Sequence, residues 1–334
     1  MSGGGSRFAV RFGKRHFFGV ALGVAAMLLT AETVSARAAQ IDTDARSAIP
    51  VNVQQLIVVD YRVMEDSQTA MDLKARLLPP QLKDLETALN HSGMNVGDDV
   101  DVLAFAAYRP TSASNPDDVK IVGVAQGQFE VNDIVAGFTR KKVKPLTIRN
   151  NRLWPMGSSG MLVVFLNPTT MLFGTQDALK PALACRDGLQ PSFLTNNNMM
   201  NAMGQVDSQA LWSIMDAQGT QYMMRSLLGQ ASQLTNFDTL KKRLLSSSYT
   251  MDFSNGVKFS LNVNTSDTFT AATMSSLLNA AALYEKASGT TIEKQAIDST
   301  NIDSSGSTLE VAFSASDSQF SSLLTSPLFQ SVVH

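Results

Sequence analysis

Histidine and cysteine, the side chains most often used for acid–base and nucleophilic chemistry, are scarce in this sequence. The chain of 334 residues has three histidines and one cysteine. Beyond the N-terminal segment the histidines are His91 and the last residue, His334. A hydrolase with a histidine base would depend on His91, and no G-x-S-x-G motif supplies a nucleophile. Cys185 has no second cysteine to pair with, and a buried structural role is typical of such a residue.

One acidic group resembles part of a calcium loop. Asp98, Asp99 and Asp101 follow Gly97 at a spacing that calcium-binding loops use. The remaining ligands of an EF-hand, above all its terminal glutamate, are missing from the pattern. We therefore interpret this group as a solvated turn that leads into a strand.

A cluster of methionines is the candidate site for a soft metal. Met199, Met200 and Met203 would lie close together on a helix, and thioether sulfur is a ligand suited to Cu(I). The alternative is that these side chains fill gaps in a core or an interface. Apart from this candidate, the sequence predicts no catalytic residue, no metal site and no cofactor.

The charge of the chain is close to balanced. The formal net charge is −2, with 44% hydrophobic and 17% charged residues, which is ordinary for a globular protein with a real core. Without the basic segment 1–38 the chain is more acidic, and this argues against nucleic acid or an anionic membrane as the main partner. The basic runs 140–142 and 241–243 are interpreted as solvated faces.

Residues 1–38 have the pattern of a secretory signal peptide. Basic residues precede an apolar run from Phe17 to about Thr30, and Ala36-Arg37-Ala38 resembles a cleavage site. The run is shorter than the roughly 20 residues of a membrane-spanning helix. We expect an exported protein, periplasmic or extracellular, with no stable transmembrane anchor after signal cleavage. An uncleaved anchor is the alternative.

Four aspartates mark the elements that would have to position any site. Each follows a β-like run and begins an amphipathic helix, and the two pairs have similar spacing; they are Asp133, Asp177, Asp267 and Asp317. An aspartate there would accept a hydrogen bond from the first helical turn as an N-cap. The alternative is that the four carboxylates converge on a cation. The regular spacing predicts a duplicated unit.

The duplicated pattern predicts an α+β fold. We expect two related units, at 39–190 and 191–334, each an antiparallel or mixed sheet with helices packed on one face. Whether they form two sheets or one continuous sheet stays open. Residues 186–198 are expected to link the units.

Several individual elements are predicted from local patterns. Strands are expected from Leu56 to Met64 and from Glu293 to Asp298. Tight hairpins are expected at Asn150-Asn151 and at Ser254-Asn255-Gly256, because asparagine and glycine accept positive φ angles.

The duplicated pattern of strand, aspartate and helix that follows the signal peptide resembles the DUF3352-like class of uncharacterised exported bacterial proteins. The resemblance is carried by Val163-Val164-Phe165 and by the segment from Met171 through Asp177 to Leu179. It implies an extracytoplasmic protein without enzymatic activity, and it supplies no catalytic residue.

The leading functional hypothesis is an exported, non-enzymatic binding or interaction module. Its alternative is a carrier of an apolar, lipid-like ligand, since the helix expected from Asp267 to Lys286 is rich in alanine, leucine and methionine. A hydrolase that uses His91 is the third. The expected partner is an unknown protein or an apolar ligand, and the segment 186–203, which has no counterpart in the repeat, is where a site would be sought.

Overall fold

The computed structural model describes residues 39–110, 118–229, 237–326 and 329. The predicted signal peptide, residues 1–38, lies outside the described residues. So do residues 111–117, which the Ser-, Asn- and Pro-rich sequence from Pro110 to Asp118 predicts to be a loop, and residues 230–236, in which a helix predicted from Tyr222 to Leu234 would end.

The described strands form a single antiparallel sheet. Their order across it is β11-β12-β10-β9-β8-β1-β2-β3-β7-β6-β5-β4. The strands are β1 (Val53–Asp60), β2 (Val100–Tyr108), β3 (Lys120–Gly127), β4 (Leu146–Ile148), β5 (Asn151–Met156), β6 (Met161–Asn167), β7 (Thr170–Gly174), β8 (Leu211–Met215), β9 (Leu244–Asp252), β10 (Val257–Thr265), β11 (Thr300–Ser305) and β12 (Thr308–Ala315).

Helices connect several of these strands. They are α1 (Thr43–Ala48), α2 (Tyr61–Glu65), α3 (Gln68–Leu77), α4 (Pro80–His91), α5 (Val96–Asp99), α6 (Val131–Arg140), α7 (Gln176–Arg186), α8 (Asn197–Met203), α9 (Ala217–Leu228), α10 (Phe237–Leu240), α11 (Thr268–Ser288), α12 (Thr291–Asp298) and α13 (Asp317–Leu323). Short 3-10 turns occupy Phe193–Thr195 and Lys241–Arg243. The predicted α+β fold is confirmed, and its sheet is antiparallel.

The two halves of the sheet share one strand order. The first half runs β1-β2-β3-β7-β6 outward from the centre, and the second runs β8-β9-β10-β12-β11. Helices α6 and α11 follow the third strand of each half, and α7 and α13 follow β7 and β12. The hairpin β4–β5 has no counterpart among the described residues of the second half. Of the two arrangements that the sequence left open, the structure has the continuous sheet, since β1 pairs with β8.

Helices cover both faces of the central strands. On one face, Ile57 and Val59 of β1 pack with α2 to α6, α9, α11 and α13; we call this the first core. On the other face, Leu56, Val58 and Trp212 pack with α1, α7 and α8; this is the second core. The prediction of helices on one face is therefore wrong for the middle of the sheet. The physical reason is that β1 is buried at all of its eight residues and needs cover on both sides.

Two predicted strands end or change type in the structure. The strand expected to reach Met64 stops at Asp60, whose carboxylate accepts a hydrogen bond from the Val63 backbone N–H at 3.1 Å and starts α2. The segment from Glu293 to Asp298 is helix α12, not a strand. Thr290 and Glu293 form a capping box at its start, a helix signal that outweighs the short apolar pattern.

The aspartate junctions divide into one cap and three first-turn residues. Asp267 is the N-cap of α11, and its carboxylate accepts a hydrogen bond from the Thr270 backbone N–H at 2.8 Å. The N-cap interpretation is wrong for Asp133, Asp177 and Asp317, which lie inside the first turn of α6, α7 and α13. Glutamate, threonine and serine residues one to three positions earlier take the cap positions. Negative charge in a first turn still favours the positive end of a helix.

Replacing Asp267 by alanine should lower the thermal midpoint more than Asp133→Ala does. Only the first substitution removes a carboxylate that bonds to the helix N-terminus. Differential scanning calorimetry of the two variants compares them directly, and equal losses would show that capping plays no part.

Asp216 lies at the junction of the two halves. It is the N-cap of α9, where its carboxylate accepts from the Gly219 N–H at 2.8 Å, and its own N–H donates to the Gln54 carbonyl oxygen at 3.0 Å. Burial raises the pKa of its carboxyl to about 6, against the opposing effect of the backbone N–H bonds. The folded state thus holds a proton that the unfolded chain releases at a lower pH.

Asp216→Asn should therefore gain stability relative to the unaltered protein as the pH rises from about 4 to about 7. A raised folded-state pKa gives stability that is present below the unfolded pKa and lost as the pH rises through about 6. Asparagine keeps the cap without the titration. Urea unfolding at three pH values in this window measures the difference, and a difference that stays constant would contradict the prediction.

Candidate functional site

An apolar crevice lies between the helices that follow β1 and the sheet. Its cavity volume is about 60 Å³. Helices α3 and α4 and the segment around α5 form its roof, and strands β2, β3 and β7 form its floor. These elements belong to the first half of the sheet; in the second half, α9 packs on β9, and α11 packs on β10 and β12.

The roof is the apolar face of α4. Pro79 and Pro80 begin the helix, where a proline needs no N–H partner. Leu82, Leu85 and Leu89 recur at helical spacing and line the crevice. Leu85 and Leu89 are buried, while Leu82 is half-buried at the edge.

The floor depends on a glycine between two phenylalanines. Gly123 pairs with Phe105 on one side and with Phe173 on the other. The two rings meet edge to face, with centroids 5.7 Å apart. A Cβ atom at Gly123 would lie 2.1 Å from the Phe173 ring, so only glycine lets that ring lie over the strand.

A polar group stands at the rim. The ammonium of Lys74 donates hydrogen bonds to the Tyr61 hydroxyl at 2.7 Å and to Oε1 of Glu86 at 2.6 Å. Burial lowers the pKa of Lys74, but its hydrogen bonds with Glu86 and Tyr61 outweigh burial and hold that pKa above its usual value. Burial also raises the pKa of Tyr61. At neutral pH the rim is therefore an ion pair with a protonated phenol beside it.

This arrangement is suited to holding an apolar group. Apart from Tyr61, Lys74 and Glu86, the residues that line the crevice are apolar. Among the described residues, no group of three or more histidine, cysteine, aspartate or glutamate side chains is placed to hold a metal ion. The crevice offers shape and an apolar surface, and one ammonium that is already paired.

The residues predicted for nucleophilic chemistry lie elsewhere. His91 is exposed at the end of α4, and its Nδ1 lies 2.8 Å from the Thr87 carbonyl oxygen. Cys185 is buried, and its thiol donates to the Pro191 carbonyl oxygen at 3.3 Å. Burial raises the pKa of this thiol to about 11, which keeps it protonated.

The acidic residues 98–101 lie at the end of the short helix α5 and the start of β2, where an arginine binds them. The Arg62 guanidinium pairs with Asp101 at 2.8 Å and donates to the carbonyl oxygens of Gly97 and Asp98. The Asp99 carboxylate instead accepts from the Asn95 backbone N–H at 2.8 Å. The carboxylates of Asp99 and Asp101 are thus engaged in local bonds.

The methionine segment packs against the face of the sheet opposite the crevice. Met199 and Met203 of α8 are buried in the second core, and Met200 packs against it. In this position the methionine side chains fill space in the core. Copper binding stays a prediction. Phe193, in the same segment, is fully buried, so the expected linker is a structural layer. The segment 186–203, where a site was sought, does not line the crevice.

Sequence reasoning missed the crevice for a physical reason. Its walls come from helices α2 to α5 and from strands β2, β3 and β7, and β7 lies far along the chain from the other walls. The leucine spacing in α4 was visible, but the same spacing is produced by a helix that packs on a filled core. Helix α11, which had suggested a cavity, does not line the crevice.

Comparisons with known proteins bear on the fold. No family model and no curated protein matches the chain. Among solved structures, crystal form III of a protein named TP0453 is similar, with 10% sequence identity, 86% of this chain and 98% of that chain covered, and a TM-score of 0.50. Crystal form I of TP0453 gives a TM-score of 0.49 at the same identity, with 86% and 97% covered. At this identity the likeness concerns the fold alone, and the resemblance to the DUF3352-like class stays a prediction.

None of the helices in the described part of the chain is both long enough and apolar enough to cross a membrane.

Gly123→Ala should destabilise the protein by about 1–3 kcal/mol, because the added methyl displaces the Phe173 ring. In a Phe173→Leu background the same substitution should cost much less, since the obstructing ring atoms are gone. Urea unfolding of the two single variants and the double variant gives the coupling free energy. Additive losses would mean that the ring is not what excludes a side chain from position 123.

Proposed function

We propose that the protein is an exported, non-enzymatic binding protein and that its ligand is an apolar molecule held in the crevice. The observation that supports this most directly is the crevice itself, open to solvent and apolar in its lining apart from the Tyr61–Lys74–Glu86 rim. Small-molecule sites are typically concave and mostly apolar, with a few polar groups at fixed places.

The absence of enzymatic activity is part of the proposal. The ammonium of Lys74 is held by Glu86, so it is not free to act as a base. Cys185 is buried as a protonated thiol, and His91 has a backbone partner. Export is supported by the basic and apolar pattern of residues 1–38.

The general binding role has a second form. A protein partner that inserts an apolar side chain into the crevice would use the same surface. The crevice favours the small-molecule form because its lining is buried between roof and floor, with Leu85, Leu89 and Phe173 each at most 4% exposed. A partner chain would need a broader open surface.

Ala125→Leu should weaken binding of the neutral apolar dye N-phenyl-1-naphthylamine by about tenfold or more, because the larger side chain fills the floor of the crevice. Fluorescence titration measures the affinity. The matched control is Ala104→Leu, which makes the same change on the other face of the sheet. Ala104 and Ala125 are each 1% exposed, but Ala104 lies in the second core.

The control variant should keep the dye affinity and lose about 1–3 kcal/mol of stability, since its site has no room. Lipid extraction and mass spectrometry of protein purified from its host should release an apolar molecule. Equal dye binding by both variants, together with a clean extract, would contradict the carrier and favour the protein-binding module.

A further inference from the structure

A strongly basic segment connects α6 to β5. Residues 140–152 contain Arg140, Lys141, Lys142, Lys144, Arg149 and Arg152 and no acidic residue, although the whole chain has a net charge of −2. We call this segment the basic hairpin; it includes the edge strand β4 and the turn to β5. The basic side chains are all exposed.

The basic hairpin has few counter-charges. Among the described residues, a carboxylate lies within 4.0 Å of Arg149 only, where Asp187 Oδ2 is 3.9 Å from Nε. Lys141 donates to the His91 carbonyl oxygen at the end of α4. The second basic run differs, since Lys241 pairs with Asp238 at 2.5 Å and Arg243 with Asp267 at 3.2 Å. Local ion pairs explain that run and leave the basic hairpin unexplained.

The backbone adds an independent observation. In the described residues, the non-glycine residues with positive φ are Lys142, at 58°, and Arg149, at 55°. Such angles favour glycine or asparagine, and long side chains there cost conformational free energy. Both positions lie in the basic hairpin, and both hold a cation. The expected use of Asn150-Asn151 for the positive angles is thus wrong, because the turn places Arg149 there.

The basic hairpin also exposes an apolar side chain, at the start of β4. Leu146 in β4 is 37% exposed and follows Pro145, which is exposed as well. Cations that flank an exposed leucine match the boundary of a bilayer, where ammonium groups meet phosphates and an apolar side chain enters the acyl region. A polyanion in water, such as a nucleic acid or an acidic polysaccharide, offers no acyl region that the leucine side chain could enter.

We propose that the basic hairpin docks the protein on the surface of an anionic lipid bilayer. The overall negative charge, which argued against such a membrane as the main partner, does not oppose a local contact, because charges more than about 8 Å away are largely screened at physiological salt. This contact does not rest on the crevice holding a ligand. It does, however, place the end of the roof helix α4 beside the bilayer through the Lys141–His91 bond.

Protection of the sheet edge is the structural alternative. Lysine beside an exposed edge strand discourages pairing with another chain, and β4 is such an edge. This accounts for Lys144. It does not account for Lys142 and Arg149, which lie outside the strand at positions where glycine is preferred.

The experiment uses the protein as it is released after export and large vesicles of phosphatidylcholine, with or without a third of phosphatidylglycerol. The test variant is Lys142→Gly with Arg149→Gly, which removes two cations and suits the positive φ angles. The control is Lys258→Gln with Lys294→Gln, which removes two exposed lysines of the second half. Leu146→Ser tests the exposed leucine of β4. Vesicle sedimentation measures binding, and urea unfolding measures stability.

We expect binding to the anionic vesicles only, weakened about 25-fold by the test variant and less than about twofold by the control. The test variant should be as stable as the unaltered protein, or more so. Leu146→Ser should weaken vesicle binding while leaving retention on a heparin column unchanged. Equal binding to neutral vesicles, binding to heparin or duplex DNA without binding to vesicles, or aggregation of the test variant with unchanged vesicle binding would each overturn the proposal.

Discussion

The pairing of β1 with β8 is the constraint on which the rest of the structure depends. It joins two halves of equal strand order into one sheet, with Val58 opposite Trp212 near the centre. Both strands are buried at every residue, so each needs cover on two faces. The second core, built from α1, α7, α8 and the segment between the halves, exists to supply that cover. A duplicated α+β unit with helices on one face cannot be joined at its centre without such a layer.

The two halves differ in what they place between their first and second strands. In the first half, α2 to α5 lie between β1 and β2, and they form a roof over β2, β3 and β7. In the second half, α9 and α10 take this place in the described residues, and Met223, Met224 and Leu228 of α9 pack closely in the first core. The crevice is therefore a product of the divergence between the halves. The basic hairpin, which has no counterpart in the part of the second half that the structure describes, lies beside the same roof.

Local signals in the sequence predict local structure and little beyond it. Asn255-Gly256 indicated the turn between β9 and β10, and Gly256 there has a φ of 75° with the Ala315 carbonyl oxygen too close for a side chain. The capping box at Thr290 is equally local, and it starts a helix although the apolar pattern after it is typical of a strand. The crevice could not be predicted, because a leucine face on α4 looks the same over a filled core. Arg149 at positive φ breaks a local rule and could not be read from the turn residues beside it.

The central position of β1 has a consequence for how the chain reaches this state. A chain is made from its N-terminus, so β1 emerges early, but its partner β8 follows about 150 residues later. Until then, the growing chain presents an unpaired apolar edge on which any other strand can settle. Contacts between residues so distant along the chain also form slowly. Strand β1, which is central in the finished sheet, is thus an exposed edge during synthesis and can pair with a wrong strand. It is the segment that a holding chaperone would have to protect.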